Sequence, residues 1–158
     1  SMKYLIAPMD AESARRACTW RFPPPYDIYN ESETSESLAE LLNGNYHAAF
    51  RGGRMAGYFC FGVSAQVPAG LALGLYTMGH MDIGLAMRPD LTGKGRGLEF
   101  FKAGIAYARL LFPDISPRLT VATFNKRAIT VYQRAGFVPE SLFTGPNGCE
   151  FMIMTYRL

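Results

Sequence analysis

The sequence predicts an α/β or α+β domain organised around one sheet, and three observations carry that expectation. From Leu75 onward, segments of strand and helix pattern follow in the order strand, loop, helix, strand, helix, strand. Earlier in the chain, two apolar runs flank Gly52-Gly53, a pair suited to the positive φ of a tight hairpin turn. The chain has 158 residues, 49% hydrophobic and 18% charged, which fits one domain long enough to bury a real core. That domain spans residues 2–158, with Ser1 ahead of Met2 set aside as an expression remnant.

The elements can be justified in chain order. ESARRAC (12–18) predicts a helix, and the three prolines of WRFPPPYDIYN (20–30) then forbid one. In ESETSESLAELLNG (31–44), Ser and Thr caps precede a short apolar run and Gly44 stops it, which predicts a second helix. NYHAAFRGGRMAGYFCFGV (45–63) reads as the hairpin. A Gly/Pro loop leads to LYTMGHMDIGLAMRP (75–89), a strand in which Met81, Ile83, Leu85 and Met87 alternate with His80, Asp82, Gly84, Ala86 and Arg88. In LEFFKAGIAYARLLF (98–112), Leu98, Phe101, Ile105 and Ala108 recur at helical spacing. PRLTVATF (117–124) is a strand and NKRAITVYQRAGF (125–137) a helix ending at Gly136. FVPESLFTG and CEFMIMTYRL close the chain as a hairpin.

Composition narrows the functional classes. No apolar run approaches the roughly 18 to 20 residues of a membrane span, and the start lacks the basic and apolar regions of a signal peptide. The expected address is the cytoplasm. Three cysteines and two histidines, with no CxxC pair, argue against a metal site. A net charge of +3 is too small to argue for nucleic acid, yet leaves room for a local basic patch.

The chemistry concentrates in LTGKGRG (91–97), where Gly93, Gly95 and Gly97 surround Lys94 and Arg96 between a strand and a helix. First-turn amides of a helix lack internal partners and sit at the positive end of its dipole. Glycines let an anion approach those amides, so a diphosphate is the natural guest. A Walker loop needs GxxxxGK[ST] and a dinucleotide fingerprint GxGxxG; the loop offers neither. A simple tight turn would need only one glycine.

Thr92-Gly93-Lys94-Gly95-Arg96-Gly97 resembles [QR]xxGx[GA], the signature of the GNAT superfamily of acetyl-coenzyme A-dependent N-acetyltransferases, with Thr92 in place of Gln or Arg. VATFNKRAITVYQRAGF is similar to that family's later strand and helix, with Asn125, Ala128, Tyr132 and Gly136-Phe137 at the family's spacings. The resemblance is close over residues 80–138. It implies a mixed, mostly antiparallel sheet of about six to seven strands, helices on both faces and a splayed central strand pair. It also implies acetyl-CoA as cosubstrate, without a metal. Coenzyme contacts would fall on the backbone of Leu85, Ala86 and Met87, on residues Thr92, Gly93, Lys94, Gly95, Arg96, Gly97 and Leu98, and on Asn125 and Ala128. Arg127 would either help at the phosphates or stand as a solvated arginine.

Two catalytic candidates follow from the same resemblance. The Tyr132 hydroxyl would protonate or hydrogen-bond the leaving thiolate; the other reading is an amphipathic core tyrosine. Asp82 occupies the place of a general base and would gain a raised pKa if partly desolvated at the mouth of a cleft, where small neighbours leave a groove. Alternatively it is an acid paired with a nearby arginine, with His80 the second candidate base. Asn125 would serve as N-cap whatever the protein did. Trp20, Tyr26 and Tyr29 around Asp27 either hold a cationic amine or fold onto the core. The expected activity is acetyl transfer to a primary amine of a small molecule or peptide. A non-catalytic acyl-CoA sensor is the alternative, and the apolar last strand would permit a homodimer.

Overall fold

Residues 3–156 are described in the structure, a computed structural model. Seven strands form one sheet in the order β1-β2-β3-β4-β5-β7-β6. They are β1 (Leu5–Pro8), β2 (Tyr46–Arg51), β3 (Arg54–Phe61), β4 (His80–Met87), β5 (Ser116–Ala122), β6 (Phe137–Thr144) and β7 (Glu150–Tyr156). Five helices accompany them: α1 (Ala11–Thr19), α2 (Ser35–Leu41), α3 (Pro68–Ala72), α4 (Gly97–Leu111) and α5 (Lys126–Arg134). All pairings are antiparallel except β4 with β5.

Alternation along β2 and β3, shifted once by a bulge at Ala49/Phe50, splits the core into two layers. Ala49, Phe59 and Phe61 face one way, onto Phe100, Phe101 and Ile105 of α4 and Tyr132 of α5. Ala48, Met55 and Cys60 face the other way, onto Ala14, Ala17 and Cys18 of α1 and Leu41 of α2. Helix α4 lies so close to the sheet that a methyl on Gly57 would strike Phe100, and one on Gly104 would strike Phe59. Phe100 and Phe101 are almost wholly buried, each worth about 1.5–3 kcal/mol of hydrophobic stabilisation. Pro113 ends that helix by disfavouring helical geometry at Phe112, whose ψ is 70°.

The expected helices, hairpins and strands are all present. Two short elements had no clear sequence signal. Strand β1 has four residues and ends in a proline. Helix α3 lies in the stretch read as a Gly/Pro loop, where Pro68 stands in its first turn as proline readily does.

Candidate functional site

Strands β4 and β5 hold the site open by barely pairing. Their register covers only His80↔Ser116, Met81↔Pro117 and Asp82↔Arg118. On its other edge β4 stays bonded to β3 through Phe61↔Ile83 to Gly57↔Met87. From Ile83 onward, therefore, the β5-facing edge of β4 has no strand beside it. Leu85, Ala86 and Met87, the expected backbone contacts, lie along that open edge.

The seam closes on a buried ion pair. Asp82 and Arg118 are each 2% exposed. Arg118 donates from Nε to Asp82 Oδ1 at 2.7 Å and from Nη2 to Oδ2 at 2.8 Å, a bidentate geometry that fixes both groups. Gln66 adds a third donor to Oδ2 at 2.9 Å, and Arg118 Nη1 reaches the Thr77 carbonyl at 2.9 Å. This corrects the expectation for Asp82: it is not at the mouth of a cleft but sealed among three donors, as the arginine-paired reading had it. Gly84 opens no space beside it either, because a methyl there would meet Cys60 Sγ at 2.7 Å. His80 lies two residues further into the paired part, and its Nδ1 is buried without a hydrogen-bond partner among the described residues.

At the far end of β4, a 3-10 turn over Pro89–Leu91 precedes the glycine loop. Gly93 and Gly95 have φ of +70° and +75°, which L side chains adopt at a cost. Gly97 serves packing instead, since a methyl there would lie 3.1 Å from Val131 of α5. The cap residue of α4, Arg96, offers its first turn no side-chain acceptor. By contrast, Asp10, Thr34 and Asn125 each cap their helix with a side-chain oxygen. The first turn of α4 thus presents backbone donors that no cap covers, with Lys94 exposed beside it and Arg127 Nη1 next to Gly93. Thr92 turns its hydroxyl back to the Pro89 carbonyl at 2.7 Å, so it offers the loop mainly backbone. Leu98 follows, half-buried in the first turn of α4.

Asn125 caps α5, its Oδ1 accepting from the Ala128 amide at 3.2 Å, while its Nδ2 donates to the Tyr29 hydroxyl at 3.4 Å. One turn past Ala128, Tyr132 is 8% exposed and packs its ring 4.8 Å from Phe101. Its hydroxyl has no hydrogen-bond partner among the described residues. Burial, helped by nearby Tyr29, pushes its pKa above the ordinary tyrosine value of 10.0 and keeps it protonated.

The aromatic segment 20–30 forms a strap held at β3 and just past the end of β5. Trp20 stacks on Tyr58 of β3 at 6.0 Å, and Tyr29 stacks on Phe124 after β5 at 6.2 Å. Arg127 covers the Tyr26 ring at 4.7 Å, while Asp27 is exposed. The strap is therefore folded onto the protein, with its far end against Phe124, Asn125 and Arg127. Sequence reasoning missed Arg118 and Gln66. A lone arginine at an inward position of the apolar strand PRLTVA was the available signal for the first.

The sequence pattern of the Acetyltransferase (GNAT) family matches residues 12–137. The chain belongs to that family. No curated protein matches it. Among solved structures, a putative phosphinothricin N-acetyltransferase is 18% identical with a TM-score of 0.72, covering 99% of both chains. A GNAT-family acetyltransferase from Bacillus anthracis is 14% identical with a TM-score of 0.71, covering 98% of this chain and 95% of that one. A SpeG spermidine N-acetyltransferase K23-Q34 chimera from Vibrio cholerae and hSSAT is 16% identical, with a TM-score of 0.70 over 97% and 94% of the chains. At these identities the likeness is one of fold, and the sheet with its splayed pair is that fold. Among the described residues no helix is long and apolar enough to cross a membrane, and no cluster of metal-ligating side chains occurs.

Proposed function

We propose that the chain moves the acetyl group of acetyl-CoA to a primary amine by direct attack in one ternary complex. The observation that carries this reading is the open edge of β4, which ends at an uncapped, glycine-opened helix terminus. An extended amide-bearing arm fits the edge and a diphosphate fits the terminus. Residues Leu85 to Met87 would hold the arm through backbone groups. Thr92 to Leu98 would hold the diphosphate, with Lys94, Arg96 and Arg127 supplying charge and Asn125 and Ala128 lying alongside.

Tyr132 is proposed as the acid. As the amine nitrogen bonds to the thioester carbon, the carbon–sulfur bond breaks and the sulfur takes the Tyr132 proton. The amine's surplus proton leaves through water, because Asp82 is occupied by Arg118 and Gln66. We assign Asp82 to positioning the seam. Direct attack is favoured over an acyl-cysteine because burial pushes the Cys60 thiol, beside β4, up to about 12. The acceptor would approach along the strap, where Asp27, Trp20, Tyr26 and Tyr29 offer one carboxylate and three rings to a cation. A second reading, coenzyme binding without turnover, draws support from the absence of a free base at Asp82.

Thermal unfolding with acetyl-CoA, ATP or NAD tests the coenzyme. Unfolding entropy for 158 residues is about 0.33 kcal/mol per degree. Ligand at about 100 times its dissociation constant adds roughly 2.7 kcal/mol, a rise of about 8 °C. No shift with acetyl-CoA, or a larger one with ATP, refutes the assignment. Tyr132→Phe then separates enzyme from sensor: an enzyme loses kcat at unchanged coenzyme affinity.

A further inference from the structure

The β2–β3 turn carries a charge arrangement that the sheet itself does not favour. Arg51 and Arg54 are direct cross-strand partners on either side of Gly52-Gly53. Like charges in directly opposed positions are destabilising, and this is where an opposite pair would help. Two more arginines converge on the same place. Together with Tyr4 and Leu91, all four guanidinium-bearing residues, Arg51, Arg54, Arg88 and Arg96, line a cleft of about 380 Å³.

The compensation available from the protein is partial. Arg88 pairs with Asp90 at 2.6 Å and donates to the Met55 carbonyl. Arg51, Arg54 and Arg96 form no ion pair among the described residues. Glu99 is a further carboxylate in reach, its charge acting on Tyr4 together with those of Arg51 and Arg96, while Lys94 acts on Asp90. Every charged residue lining the cleft is an arginine, so the cleft keeps an excess of positive charge in a volume that suits a small ligand.

We propose that this cleft between the β2–β3 turn and the start of α4 binds a phosphate-type dianion or polyanion. Guanidinium groups meet phosphate oxygens in a bidentate fashion, which suits a cleft with several of them at its walls. A bound dianion would also relieve the Arg51–Arg54 repulsion. The same chemistry has two sources, a free phosphorylated ligand or the 3′-phosphate of coenzyme A, and only the second rests on the coenzyme reading.

The test is calorimetric titration of inorganic pyrophosphate into the wild-type protein and the Arg51→Ala/Arg54→Ala variant. Pyrophosphate is expected to bind the wild type and to lose at least about tenfold in affinity in the variant. The variant should melt no lower than wild type, because a repulsive pair is gone. Arg51→Gln/Arg54→Gln, which keeps the bulk without the charge, repeats the test should the alanine variant not fold. Coenzyme A and its 3′-dephospho form separate the two sources. If the coenzyme supplies the phosphate, it competes with pyrophosphate, and its advantage over the dephospho form vanishes in the variant. If a free ligand does, coenzyme affinity is the same in both proteins and pyrophosphate binds beside it. Equal pyrophosphate affinity in wild type and variant, or no wild-type binding at about 5 mM, overturns the proposal. Pyrophosphate held by the glycine loop instead would keep its affinity in the Arg51→Ala/Arg54→Ala variant, so the loss in that variant reads this cleft separately from the coenzyme site.

Discussion

Replacing Asp82 by Asn separates anchoring from catalysis. In the folded protein Asp82 and Arg118 are each 2% exposed and joined by two hydrogen bonds, at 2.7 and 2.8 Å. Asparagine keeps the shape but removes the countercharge, leaving a guanidinium that cannot lose its proton in a buried place. Breaking one side of such a pair costs about 3–5 kcal/mol. With about 0.33 kcal/mol per degree for 158 residues, the melting temperature should fall by about 9–15 °C. Differential scanning calorimetry reads this directly. The companion variant Asp82→Leu/Arg118→Met removes both charges at once and should lose less than Asp82→Asn alone. A pH–rate profile completes the assay, since an anchor leaves its acid limb in place. A melting temperature within about 2 °C of wild type, with kcat collapsed and the acid limb abolished, would refute the anchoring argument and restore Asp82 as the base.

Further outcomes follow from the glycines and the buried phenols. Gly95→Ala meets no atom within 4 Å but has φ +75°; it should cost about 1 kcal/mol. If the loop seats the diphosphate, coenzyme affinity should drop at least about tenfold beyond that, and unchanged affinity in a titration argues against it. Gly104→Ala gains about 1 kcal/mol of helix propensity but drives a methyl into the Phe59 ring, so a net loss of up to about 2 kcal/mol is expected from denaturant unfolding. A stabilised variant would mean that the ring has room to move. Burial raises Tyr46, Tyr58 and Tyr132 above 10.0 and Cys60 to about 12. The unfolded chain releases these protons first, so this stability is complete below about pH 8 and is lost as pH rises towards the folded values. A melting temperature that stays flat from pH 8 to 11 would contradict that sign.

Elements with a full period of pattern were readable from the sequence. The helix over 97–111 announced itself through Phe101, Ile105 and Ala108, and the one over 126–134 through Asn125 and Gly136. LIAP and PAGLA are too short to show a period, and their structure depends on neighbours far along the chain. At the site, the glycine loop was legible because backbone conformation is written in residue type. Asp82 was not, because a carboxylate looks the same in sequence whether it meets water or an arginine. Its partner lies 36 residues away, and only the closed part of the β4–β5 pairing brings them opposite. The arginines at 51, 54, 88 and 96 were scattered for the same reason.

The short parallel seam also divides the sheet into two parts over one shared core. β1 to β4 form a unit on one side and β5 to β7 another, and only three residue pairs tie them within the sheet. Cooperative opening follows the line of fewest shared bonds, and here that line runs through the proposed binding space itself. An extended ligand laid along it would act as a suture, adding backbone bonds across the one joint the chain leaves understitched. Occupancy would then be felt as slowed amide exchange on both sides of the joint, well beyond the atoms the ligand touches.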